Sequence, residues 1–189
     1  MTHWLGPVDW LGWFGDDVVL HLLHAALVGG AFGNEHGSVV VLENLPGNER
    51  QLLCLGSVVA LLGAPLGLIE LSAPDELVRA RSRSRRVCPT CEPDPLGDPH
   101  RPALAVPDRP DLCIRCGGAI VARRSDASER FEAKLTRFRA TIGDIRRAAT
   151  ELDLPYRTVD VAAPIADVLA AGQAAARSLL GTPRVKETV

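Results

Sequence analysis

The apolar residues of this chain repeat with two different periods, and the alternation between them predicts its architecture. Asp16-Asp17 stand before Val18-Val19-Leu20-His21-Leu22-Leu23-His24-Ala25-Ala26-Leu27, and paired acids ahead of such a run suit a helix N-terminus because they complement its dipole. Ser38-Val39-Val40-Val41-Leu42 is a short β-branched run that predicts a buried strand, ending in the turn Glu43-Asn44-Leu45-Pro46-Gly47. A helix is expected over 48–62, a second strand over 67–72, and another helix from Pro74-Asp75-Glu76, where proline and acids fill the first turn. Phe131, Leu135, Phe138, Ile142 and Ile145 advance by steps of four and three, the spacing of one long amphipathic helix, opened by Asp126 and Glu129 in a capping-box-like pattern. Residues 156–161 predict a third strand and Pro164 a closing helix to about Leu180, with a frayed tail over 181–189. Residues 1–15 show no period. Strands alternating with helices predict a parallel sheet flanked by helices.

Between the second and third strands the periodicity lapses and cysteines take over. Cys88-Pro-Thr-Cys91 is followed, after twenty-one residues, by Cys113-Ile-Arg-Cys116-Gly-Gly. Two C-x2-C half-sites can place four thiolates tetrahedrally around a zinc ion, with Gly117 and Gly118 letting the second turn close. The intervening segment has six prolines and no apolar pattern, so it is expected to need a cross-link for order. A small zinc site supplies roughly 10–16 kcal/mol of apparent folding free energy. Two disulfides are the competing reading, in an oxidising compartment. Cys54, within Leu52-Leu53-Cys54-Leu55, reads as a small core residue.

The 189 residues suit one domain with an excursion, divided as a core over 1–86, a zinc-binding lid over 87–124 and the rest of the core over 125–189. A net charge of −2 argues against blanket affinity for nucleic acid or membranes. The apolar run 18–32 is too short to span a bilayer, and the N-terminus lacks the basic stretch of a secretory leader, so a cytoplasmic, reducing setting is expected. Arginines at 79, 81, 83, 85 and 86 suit either a solvated helix end or an anion clamp beside the lid; a guanidinium fork matches phosphate oxygens. His21 and His24, three apart, could share a metal, but no third ligand is evident and they read as half-exposed helix residues.

The order of these parts resembles the adenylate kinase family of nucleoside monophosphate kinases, in the subgroup with a zinc-stapled lid. The resemblance rests on Glu70-Leu-Ser-Ala-Pro-Asp-Glu, on Arg85-Arg86-Val87-Cys88-Pro-Thr-Cys91, and on Cys113-Ile-Arg-Cys116-Gly-Gly followed by Arg123, Asp126 and Glu129. It implies an α/β core with an inserted lid, moving the γ-phosphoryl of ATP, with Mg2+, to an AMP-like acceptor. Positioning and charge neutralisation dominate such chemistry. By motif, Arg81 would lie against the donor adenine, Arg85 and Arg123 would reach its phosphates, Gln51 would read the acceptor base, and Glu43 would order magnesium-bound water.

The chain also departs from that pattern. The family's Gly-rich phosphate loop, G-x-x-x-x-G-K-[ST], occurs nowhere in the sequence, so the P-loop-kinase-like sheet is expected to be incomplete. Gly47 stands where the acceptor-phosphate arginine belongs, and Lys134 stands for an arginine after the lid, keeping charge without the fork. Val161-Ala162-Ala163 replaces the family's Gly-containing adenine loop. Each lost contact to developing charge is worth roughly 2–4 kcal/mol, so impaired phosphoryl transfer is expected, through truncation or degeneration. An open sheet edge would be a place for a partner. A non-catalytic nucleotide-binding regulator and a zinc-ribbon nucleic-acid module both stay open, the second weakened by the missing aromatics and basic charge.

Overall fold

The computed structural model describes residues 9, 14–29, 39–93, 98–126 and 128–180. They fall into two units, one formed by the residues up to Ser72 together with those from Arg137 on, the other by Ala73–Thr136.

The first unit holds α1 (Asp16–Val28), α2 (Glu49–Leu61), β1 (Leu68–Ser72), the later turns of α4 (Ser128–Glu151), β6 (Tyr156–Asp160) and α5 (Ile165–Leu180). Asp16 and Asp17 occupy the first turn of α1. Asn48 caps α2 from an extended conformation, its side chain accepting the Gln51 N–H at 2.9 Å. The Pro164 carbonyl accepts from the amides of Asp167 and Val168 at the start of α5. Leu23 of α1 packs on Leu55 and Val59 of α2, with Leu42 and Leu45 against them. A second cluster joins Leu52, Leu68, Ile145, Ala148 and Ala149, so α2, β1 and α4 share one core. Gly67 lets α5 approach the sheet: a Cβ there would lie 3.1–3.2 Å from three atoms of the Leu179 side chain.

The sheet of this unit is parallel, as the strand–helix alternation predicts, with Leu68 opposite Tyr156 and Ser72 opposite Asp160. It contains two strands among the described residues. The expected strand over 38–42 does not form: Ser38 lies outside the described residues, and 39–42 join no ladder. A strand exists only through a neighbour's hydrogen bonds, and none of the described strands pairs with this run. Leu42 packs on the α1–α2 cluster instead, and Val41 is 85% exposed. Ile69 and Leu71 of β1 are also exposed, although parallel strands are ordinarily covered on both faces. The tail over 181–189 and the tryptophans at 4, 10 and 13 lie outside the described residues.

Glu70 is the one charge inside β1, and its side chain is 2% exposed. Arg146 of α4 grips both of its oxygens, Nε donating at 2.8 Å and Nη2 at 2.5 Å, and the Tyr156 hydroxyl donates at 2.5 Å. The Arg146 fork, aided by Tyr156 and opposed by burial, holds the Glu70 carboxyl below its ordinary range. Burial and the neighbouring carboxylate push the Tyr156 hydroxyl up to about 12.

The second unit begins with α3 (Asp75–Ser84), preceded by Pro74, with Asp75 and Glu76 in its first turn. Arg79 binds both oxygens of Glu132, at 2.7 and 2.9 Å, tying α3 to the first turns of α4. Residues 87–124 lie wholly inside this unit. Their neck is the antiparallel pair β2 (Arg86–Val87) and β5 (Val121–Ala122). Beyond it β3 (Ala105–Val106) and β4 (Arg109–Cys113) form a small hairpin around Pro107-Asp108, a local order that the proline content of the segment conceals.

Candidate metal centre and cationic cluster

Two short turns present the four cysteines. In the first, the Glu92 amide donates to the Cys88 carbonyl at 3.2 Å; in the second, the Gly117 amide donates to the Cys113 carbonyl at 2.8 Å, with Gly117 at φ +71°. That angle lies in the left-handed region, where glycine carries no steric cost. Gly118 has a different reason to be glycine: a Cβ there would sit 2.6 Å from Thr90 Oγ1, because the second turn closes directly onto the first. The Gly118 amide also points at Cys116 Sγ, 3.4 Å away.

The sulfurs of Cys88, Cys91, Cys113 and Cys116 all lie within 4.8 Å of one another. Cys88 and Cys116 meet at 3.5 Å, Cys91 and Cys113 at 3.7 Å. Four sulfurs at about 2.3 Å from a central zinc ion have edges of about 3.8 Å, so the cluster fits a tetrahedral ion. All five cysteines of the chain are free thiols, and Cys54 stands apart on α2. The Cys91 amide leads in drawing the Cys88 thiol down to about 7, while the sulfurs around Cys91, Cys116 foremost, push it up to about 12. Thiolates this close can coexist only around a cation, and the donor set can hold a metal ion such as zinc. His21 and His24 are exposed on α1 and belong to no metal-ligating group among the described residues.

Basic side chains gather where the flap rejoins α4. Arg85 forms a bidentate pair with Asp126, both contacts 2.7 Å, and the Asp126 side chain is 8% exposed. Arg123 is half-buried, and its Nε has no hydrogen-bond partner; the Ser125 hydroxyl oxygen is likewise buried and unmatched. Burial first, then the charges of Arg130 and Arg123, lowers the affinity of Lys134 for its proton, with Asp126 and Asp98 opposing. Arg123 and Lys134 thus stand near a pair, Arg85 with Asp126, that is already neutral, and orphaned donors in such a place suit an oxyanion. Arg81 lies exposed in the last turn of α3.

Asp98 organises this hinge. Its carboxylate accepts from the amides of Arg124 and Ser125 at 3.2 and 2.6 Å and from Arg124 Nε at 3.0 Å. Burial opposes its ionisation, but the Arg124 and Ser125 contacts outweigh burial and hold the carboxyl at about 2. A depressed carboxyl stabilises the fold fully above its unfolded pKa of about 3.9 and loses that contribution as pH falls toward the folded value. Acid titration of amide protection at Arg124 and Ser125 is therefore expected to show loss between about pH 4 and 2; Asp98→Asn should remove that transition.

The remaining expected site residues belong to the first unit. Glu43 is exposed on the turn after 39–42. Gln51 is buried, and both ends of its amide are engaged: Oε1 accepts the Gly47 amide at 2.7 Å, and Nε2 donates to Asp16 Oδ1 at 2.8 Å. Asn48 Nδ2 reaches the same carboxylate at 3.0 and 3.1 Å. Sequence reasoning gave Asp16 only a helix-dipole role and missed Asp98 and Arg146; the partners of all three lie far along the chain.

A small parallel sheet with flanking helices, and a thiol-rich flap beside a cationic cluster, is consistent with a kinase-like α/β protein. Comparison with known proteins agrees. The chain is 30% identical to an adenylate kinase of Treponema pallidum over 129 residues, 68% of this chain and 56% of the relative. It is 30% identical to the adenylate kinase of Symbiobacterium thermophilum over 131 residues, 69% of this chain and 58% of that one. The adenylate kinase of Caldicellulosiruptor saccharolyticus matches at 27% over 101 residues, 53% of this chain and 45% of the relative. No family profile matches. The chain belongs to an adenylate kinase-like family, and its match spans little more than half the length of these curated relatives.

Proposed function

We propose that this chain is a nucleotide-binding relative of the adenylate kinases, with a zinc-pinned lid and with impaired phosphoryl transfer. The observation that carries the proposal is the cluster of Arg85, Arg123 and Lys134 at the hinge of the four-cysteine flap, with the Arg123 Nε left unpaired. In this reading the zinc is structural, held by Cys88, Cys91, Cys113 and Cys116, and gives the flap its fixed shape. Arg123 and Arg85 reach the phosphates of ATP, with Lys134 as a point charge beside them, and Arg81 lies against the base. Arg85 can do so only while it shares its fork with Asp126, which limits its reach. Mg2+ would accompany the ATP, with Glu43 ordering its water.

The acceptor half is weaker. Gly47 carries no charge for an acceptor phosphate, and the Gln51 amide that would read an adenine edge is bonded to Gly47 and Asp16. The sequence contains no G-x-x-x-x-G-K-[ST] string, whose amides and lysine cradle donor phosphates. Binding without efficient transfer follows. β1 pairs only with β6 among the described residues, so its other edge is where a partner would pair. No helix among the described residues is long and apolar enough to cross a membrane; a cytoplasmic setting belongs to the proposal.

The test is calorimetric titration of the purified chain with Mg-ATP, alongside a coupled assay for ADP formed from ATP and AMP. Saturable binding with little or no ADP is expected. Arg123→Ala should weaken ATP binding about 10–100-fold, since a hydrogen bond to a charged group is worth roughly 1.5–3 kcal/mol. Absence of ATP binding, with DNA binding that falls steeply with salt, would favour the nucleic-acid reading instead.

A further inference from the structure

Burial divides the four cysteines into two kinds. Cys88 and Cys113 are 3% and 1% exposed, whereas Cys91 and Cys116 face solvent. The contacts at 3.5 Å (Cys88 with Cys116) and 3.7 Å (Cys91 with Cys113) each cross from one turn to the other. Each exposed cysteine therefore has a buried cysteine of the opposite turn as an immediate neighbour through its sulfur. A cavity of about 360 Å³ opens beside them, lined by Cys88, Cys91 and Cys113 and flanked by Arg101 and Arg115. It gives a small oxidant access to the cluster, including one of the exposed sulfurs. Exposure of the attacking thiolate and nearness of a second one are the two requirements for disulfide formation through a sulfenic acid.

We propose that the cluster is an exchangeable staple, which hydrogen peroxide converts from a metal-holding tetrathiolate into two disulfides, Cys88–Cys116 and Cys91–Cys113. At each pair the exposed thiolate attacks the peroxide O–O bond, forming a sulfenic acid and releasing hydroxide. The buried thiolate then attacks that sulfur and expels a second hydroxide. The two sulfurs lose two electrons, the peroxide gains them, and two solvent protons turn the hydroxides into water. Two peroxide molecules serve the four cysteines, and the divalent ion passes into solution with its oxidation state unchanged.

The pairing decides the consequence. A bond inside either C-x2-C turn would leave the two turns unconnected once the ion had gone. Bonds between the turns replace the ion as the link, closing nested loops across 88–116 and 91–113 and restraining the unfolded flap. The flap is thus held in reducing and oxidising conditions alike, by a different bond in each.

The inference rests on the zinc reading of the site, and one experiment separates the two. The reduced full-length chain is loaded with zinc, and bound metal is measured by elemental analysis; absence of stoichiometric zinc defeats the metal reading itself. The loaded protein is then treated with hydrogen peroxide, with released zinc followed by a chromogenic chelator. Trypsin and a protease that cuts before aspartate, without reductant, separate residues 87–93, 111–115 and 116–123, and fragmentation assigns the sulfur links. Expected are one zinc released per two peroxides consumed, the 88–116 and 91–113 links, a flap that resists trypsin at Arg115 before denaturation, and full reversal by dithiothreitol. Zinc release with Cys88–Cys91 and Cys113–Cys116 bonds, with the swapped cross-pairs, or with sulfinic acids overturns the inference and leaves the zinc reading standing.

Discussion

Removal of the metal from the reduced protein by a strong chelator is expected to unfold the flap while the first unit keeps its core. The reason lies in how little else holds the flap. Its ladders are two residues long at the neck, with a short hairpin beyond. Its buried side chains include Val87, Cys88, Pro99 and Cys113, so two of the residues at its centre are themselves ligands. A metal contributes roughly 10–16 kcal/mol to small sites of this kind, far more than isolated two-residue ladders can replace. The first unit has its own clusters, around Leu52 and around Leu55, which no chelator touches. Limited trypsin digestion reads the outcome at one place, because Arg101 and Arg109 each precede proline and resist cleavage, whereas Arg115 does not. Rapid cutting at Arg115 after chelation, with slow cutting before it, is the expected result. Equal protection with and without the chelator, in the presence of reductant, would show that the metal does not hold the flap.

Arg146→Ala is expected to be the most damaging single substitution in the first unit. It strips both contacts of the guanidinium fork from a carboxylate that is 2% exposed and leaves Tyr156 as its remaining donor. Breaking a buried pair in this way costs roughly 3–5 kcal/mol; because Arg146 itself is half exposed, the lower end, about 3 kcal/mol, is expected. Glu70→Gln should cost less, since it removes the charge and retains a group that can accept from Tyr156. The pH dependence distinguishes the two variants. In the parent chain the Glu70 carboxyl is depressed, so its contribution is complete above an unfolded pKa of about 4.3 and declines as pH falls below it. Without Arg146, burial raises the same carboxyl, and the sign reverses: the penalty is present at neutral pH and is relieved on acidification. Urea denaturation at pH 7 and pH 4 should show the Arg146→Ala deficit shrinking, while the Glu70→Gln deficit does not grow. A deficit unchanged by pH would show that the damage comes from lost packing.

What could be read in the sequence was whatever depends on neighbours close in the chain. The four-and-three spacing from Phe131 to Ile145 falls within a helix spanning Ser128–Glu151, and the spacing of the four cysteines places their sulfurs in one cluster. The run at 39–42 failed for a physical reason: β-branched residues favour a pleated, half-buried surface, but a strand also needs a bonded neighbour, which composition does not reveal. Gln51 shows the same limit at the level of a side chain. Its residue type suits an adenine edge, yet Asp16, thirty-five positions earlier, takes its donor. Asp98 sits in a proline-rich loop with no pattern to single it out, and its role appears only once the flap brings Arg124 and Ser125 against it.

The close approach of Gly118 to Thr90 binds the evolutionary fates of the two knuckles. A methyl group at 118 would have to displace the threonine side chain, whose Oγ1 and Cβ would lie 2.6 and 3.0 Å from it, so glycine at 90 makes room for alanine at 118. Thr90→Gly should rescue Gly118→Ala, though neither residue is among the four candidate ligands.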